Sequence, residues 1–110
     1  MVKLNLRDNQ LKSLPDEICQ LQFLEGLNIR NNQLAALPER FGDLSLLNKL
    51  ESDNNQFADL PLSFDKLTKL KFIDLSKNRL TKFPQSFQKF PKLKELALSS
   101  NKLEELPNWI

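Results

Sequence analysis

The 110-residue sequence predicts an α/β solenoid: a five-stranded parallel sheet on one side of a one-dimensional stack, with turns and short helical arms on the other. Three observations predict it. Asn9, Asn32, Asn55, Asn78 and Asn101 recur 23 residues apart, as do Pro15, Pro38, Pro61, Pro84 and Pro107. Met1, Leu24, Leu47, Leu70 and Leu93 keep the same step, so the period runs from end to end without an insertion. Within each period the apolar residues alternate briefly and then break off, which is the habit of a short strand and not of an amphipathic helix.

Leu24–Leu46 shows the unit most fully. Leu27 and Ile29 flank one polar residue, which fits a strand with one buried face. Asn31 and Asn32 end the strand, and Pro38 bars both a central strand and a helix interior further on. One strand, one turn and one return arm result. A single unit cannot bury Leu24, Leu27, Ile29, Leu34, Leu37, Phe41 and Leu44, so it has to stack on its copies. The resulting boundaries are 1–23, 24–46, 47–69, 70–92 and an incomplete 93–110, forming a single domain over 1–110.

The pattern LxxLxLxxNxLxxLPxx(I/F)xxLxx resembles that of leucine-rich repeat proteins. Its LPxx(I/F)xxL ending is similar to the 23-residue repeats common in bacterial members and in some eukaryotic scaffold proteins. The resemblance covers the whole chain. It implies a right-handed solenoid with the sheet on the concave face and 3-10 or irregular arms on the convex face. It also implies an asparagine ladder, in which each side-chain amide serves backbone groups that the turn leaves unpaired. Binding of other proteins through the concave face is the function it implies. A fold of this kind does not name the partner.

The units differ in informative ways. In unit 1, Leu4, Leu6, Leu11, Leu14 and Ile18 are expected to show one side to solvent, and the first strand is an open edge. Phe23 and Leu46 close units 1 and 2 where Lys69 and Lys92 close the next two; partial burial between neighbouring arms is expected, with a small convex contact patch as the alternative. Unit 3 places Ser52 in a core column otherwise held by Leu6, Ile29, Leu75 and Leu98. Leu62 follows Pro61 where the other units carry polar residues, which makes it an exposed apolar candidate. Unit 4 substitutes Phe83 and Phe90 for leucines, as packing. Trp109 either folds over the open end as a lid or stays available to a partner.

Residues flanking the inward apolar positions line the groove in three columns: Lys3, Gly26, Lys49, Phe72, Glu95; then Asn5, Asn28, Glu51, Asp74, Ala97; then Arg7, Arg30, Asp53, Ser76, Ser99. Gly26 has no side chain to fill its place. The candidate protein-binding residues are Arg7 and Arg30 as a basic pair, Glu51, Asp53 and Asp74 as an acidic centre, and Phe72 as the one large apolar group, suited to anchor an interface. The bland reading is a solvated face whose carboxylates are balanced by Lys49 and the arginines. A divalent ion at the carboxylates lacks any supporting ligand.

Catalysis is not expected. The chain has no His, and two glycines give no phosphate-binding loop. Cys19 stands alone, so it has neither a disulfide partner within the chain nor a histidine to activate it. No cofactor motif and no small-molecule substrate are indicated. No stretch approaches the roughly 20 apolar residues of a membrane span, and the first ten residues hold no apolar signal core, which points to the cytoplasm while leaving signal-less export or the cell surface open.

Net charge is −3 over residues 1–60 and +5 over 61–110. The second half therefore offers an alternative role on an anionic surface, acidic lipid more than nucleic acid. Lys77, Arg79, Lys82 and Lys102 lie on the turn side there, and Lys66, Lys69, Lys89 and Lys92 on the return arm, which argues against one continuous groove. Uncapped ends make self-association into homo-oligomers the third reading.

Ser52→Ile restores apolar burial in its column. It is expected to raise stability by about 1 kcal/mol, read as a higher melting temperature; a lower one would count against the register.

Overall fold

The computed structural model describes residues 2–81 and 90–101. Each alternating segment forms a short strand: β1 (Val2–Asn5), β2 (Leu24–Asn28), β3 (Lys49–Glu51), β4 (Phe72–Asp74) and β5 (Glu95–Ala97). The strands pair in parallel and in chain order. Gly26 lies opposite both Lys3 and Lys49, and Phe72 opposite both Lys49 and Glu95, so the sheet register advances by the sequence period. Parallel neighbours require a crossover between them. Return arms with 3-10 helices at Asp16–Gln20, Phe41–Asp43 and Leu62–Lys66 supply it. Pro15 and Pro61 start two of these arms in extended conformation, and 3-10 geometry does not propagate far, so the arms stay short.

The core is a column of apolar side chains between sheet and arms. All seven inward positions of unit 2 are buried. Phe41 stacks on Phe64 at 6.1 Å between centroids, and Phe90 meets Phe64 edge-on at 5.8 Å, so these aromatics are packing. Ser52 is fully buried, and its hydroxyl donates to the Asp74 carbonyl at 2.9 Å.

The asparagine column binds the units together. The Asn55 amide donates to Ser52 O and Asp53 O in its own turn and to Ile29 O of the preceding unit (2.9 Å), while its Oδ1 accepts the Leu34 N–H (3.1 Å). Asn32, Asn78 and Asn101 repeat this pattern. Asn9 bonds only within its own turn, to Leu6 O and Arg7 O. A second column stands just before it. Asp8, Asn31, Asn54, Lys77 and Ser100 all hold φ between 56° and 59°. Asp and Asn tolerate that left-handed corner best, and here they bond to one another: Asn31 donates to Asp8 at 2.6 Å and Asn54 to Asn31 at 2.7 Å.

Two adjacent arms come close enough to require glycine. A Cβ on Gly42 would sit 1.9 Å from the Ser63 carbonyl oxygen. The Gly42 N–H donates to Ser63 Oγ (2.9 Å), and the Ser63 hydroxyl donates to Glu39 O.

Some expectations for individual side chains change. Leu4, Leu6 and Leu11 are half-buried as expected, but Leu14 and Ile18 are buried, because the first 3-10 helix packs against the second. Phe23 is 73% exposed rather than partly buried, since its register gives it a stacked neighbour on one side only; that neighbour, Leu46, is half-buried. Leu62 is 95% exposed, in line with its register. Phe83, Trp109, Lys82, Lys89 and Lys102 lie outside the described residues.

Asn55→Ala removes the partner of the buried Leu34 N–H, the donor to Ile29 O of the preceding unit and the bonds within its own turn, and is expected to cost about 2–4 kcal/mol. Asn9→Ala, losing exposed local bonds, should cost less than about 1 kcal/mol. Urea midpoints at constant m-value test the contrast.

Candidate protein-binding face

The sheet's alternation sends Leu27, Leu50 and Ile73 inward and leaves their neighbours on the open face. Register therefore sets Lys3, Gly26, Lys49, Phe72 and Glu95 in one row and Asn5, Asn28, Glu51, Asp74 and Ala97 in the next. The row of Arg7, Arg30, Asp53, Ser76 and Ser99 continues beyond the strands, with Asn31 N donating to Asp53 O and Asn54 N to Ser76 O.

Opposite charges within these rows pair with each other. Arg30 Nε lies 3.0 and 3.1 Å from the two carboxylate oxygens of Asp53, which is 9% exposed. Arg7 Nε meets Asp8 at 3.0 Å. Arg7 and Arg30 are thus each engaged with a carboxylate instead of forming a free basic pair. Asn31 is the main donor that holds the Asp8 carboxyl below its usual range, with Arg7 next. Lys49 reaches Glu51 at 3.5 Å, and its ammonium lies 5.4 Å from the centroid of Phe72. The acidic centre is therefore divided: Asp53 and Glu51 face cations. The Asp74 carboxylate, by contrast, accepts the Ser76 N–H (3.0 Å) and has no cation partner among the described residues. Glu95, beside Phe72 on β5, has none either.

The opposite signs of Arg30 and Asp53, one period apart in one row, were a readable signal of their pairing. So were the Asp and Asn residues just ahead of the ladder asparagines. The hold of Lys49 on Phe72 had no such signal. A cavity of about 350 Å³ lies over Gly26, bounded by Lys3 and Lys49. At the opposite end of the strands, Lys71 and Lys94 stack through a 2.8 Å backbone bond, and Lys69 and Lys92 lie two residues earlier; all four are exposed. Cys19 is buried, and burial followed by the repulsion of Asp43 and Asp16 pushes its thiol pKa up, so it stays protonated and unreactive at neutral pH.

Known proteins agree with this geometry. Residues 3–96 match the family described as leucine-rich repeat region, and residues 92–110 match a leucine-rich repeat. No curated protein matches the chain. The leucine-rich repeat domain of APL1B is similar with TM-score 0.86 and 30% identity, over 94% of this chain and 33% of that one. A leucine-rich repeat protein of Leptospira interrogans gives 0.67 and 32%, over 94% of this chain and 32% of that one. An internalin, inlF, of Listeria monocytogenes gives 0.82 at 23% identity, over 94% of this chain and 29% of that one, a likeness of fold alone. The chain thus spans about a third of each of these proteins. With the ladder, the parallel register and a family match over most of its length, the chain belongs to the leucine-rich repeat family.

Proposed function

We propose that the chain is a non-catalytic interaction module that docks a basic segment of a partner protein on the concave face of its sheet. Proteins of this family are in general protein-interaction modules, which supports the class of function. The observation that carries the reading is the corner formed by Phe72, Asp74 and Glu95. Phe72 is half-buried with part of its ring open to solvent, and the carboxylates of Asp74 and Glu95 face no cation among the described residues. An aromatic anchor beside uncompensated carboxylates suits a partner lysine or arginine whose stem packs on the ring.

Arg7, Arg30, Glu51 and Asp53 take a supporting part. Arg30 pairs with Asp53, Arg7 with Asp8 and Glu51 with Lys49; these ion pairs hold the neighbouring rows in shape, and contact with a partner occurs at their exposed edges. Phe72→Ala combined with Asp74→Lys is expected to weaken capture of partner proteins at least about 30-fold, the scale of a hot-spot residue. Leu62→Ser on the arm is expected to leave capture unchanged. Full capture by the double variant eliminates this corner.

One observation favours a second reading. Lys69, Lys71, Lys92 and Lys94 form an exposed block of four cations at one rim, none with an ion pair among the described residues. Such a block suits an acidic lipid surface. Retention on vesicles containing phosphatidylserine should fall steeply as salt rises; absence of retention at low salt ends this reading.

A further inference from the structure

Gly26 is the one member of its row without a side chain, and the Lys3 stem leans over it and buries it. A Cβ built there meets only the Lys3 side chain, with Cγ at 3.3 Å. The cavity of about 350 Å³ over it is walled by Lys3 on β1 and Lys49 on β3, with Asn28, Glu25 and Glu51 at its margin. We infer that this notch seats a tyrosine side chain of the bound partner; the inference rests on the concave face being the docking surface.

Three features select that occupant. The floor is strand backbone, covered in part by the flexible Lys3 stem, which has to swing aside to admit a planar ring. The walls are cationic: Lys49 already sits over Phe72 on β4, and Gly26 lies on the other side of Lys49 in the same row. A ring on Gly26 takes the corresponding place across Lys49 and also meets Lys3. The polar margin then asks for a hydroxyl. Asn28 Oδ1 accepts the Arg30 N–H, and Asn5 Oδ1 accepts the Arg7 N–H, so each amide presents its NH2 end as a donor. A phenol oxygen accepts from such donors, and its O–H can donate to Glu51. Two lysines beside two glutamates leave the notch close to neutral, which disfavours a bound carboxylate or ammonium.

The test uses p-cresol, the tyrosine side chain as a free molecule, titrated into the 15N-labelled protein. Saturable shifts are expected in the amides of residues 3–5, 26–28 and 49–51, with isobutanol producing none that saturate. Gly26→Leu should abolish them while raising the melting temperature, because a strand glycine gains from a side chain and the Lys3 stem can yield. Lys49→Met should weaken p-cresol about 2–5-fold through loss of the cation–ring contact. No saturable shift, equal binding of isobutanol, or unchanged binding by Gly26→Leu overturns the notch. Because p-cresol requires no partner protein, its failure is separate from failure of the Phe72 and Asp74 corner, which the capture measurement reads.

Discussion

Each buried asparagine amide in this molecule answers a problem that the strand–turn corner creates. The chain leaves the sheet through a left-handed residue, and the turn carbonyls and the next arm's N–H have no ladder partner. One planar side chain with two donors and an acceptor satisfies them at once, across two units. This requirement fixes the unit length, since the amide works only if the next copy arrives in register. The parallel sheet, the short arms and the aromatic column of Phe41 and Phe64 all depend on that repeated alignment.

Stacking also decides the electrostatics of the open face. Residues one period apart become neighbours about 4.8 Å away along the sheet. Opposite signs at that spacing pair off, as Arg30 and Asp53 do. Lysines in the same relation, such as Lys71 and Lys94, are forced side by side. The face is therefore mostly self-neutralised, and what it leaves uncompensated among the described residues is small and local, at the Phe72–Asp74–Glu95 corner. Exposed ion pairs such as Arg7–Asp8 contribute little to stability, so such pairings set the charge pattern of the face more than they hold the stack together.

The fold was legible because its determinants recur. A one-residue error would have misaligned five asparagines, so the rows of the open face could be written down from the sequence and match the sheet register at every strand. What escaped depends on geometry between units. Leu14 and Ile18 become buried through the packing of one arm against the next, and arm packing has no sequence period of its own. Phe23 has a neighbour on one side where two were assumed. The Ser52 hydroxyl finds the Asp74 carbonyl, a backbone atom no composition argument could single out. For the open face, residue types located the candidates, but which charges stay uncompensated depended on side-chain reach, as with Lys49 bending to both Glu51 and Phe72.

The ladder has a direction. Every amide from Asn32 to Asn101 reaches back to carbonyls and an N–H of the unit before it and never forward. Loss of the first unit leaves a side chain with spare valences that water can fill. Fraying of the fifth unit strips Leu80 N–H of its acceptor and Leu75 O of one of its two amide donors in the fourth, at buried positions. The asparagine ladder is thus anisotropic like a ratchet: melting from the carboxyl end uncovers buried backbone that a later asparagine had satisfied, while melting from the amino end frees the asparagine side chain itself, together with the Gln33 N–H that donates to Leu11 O.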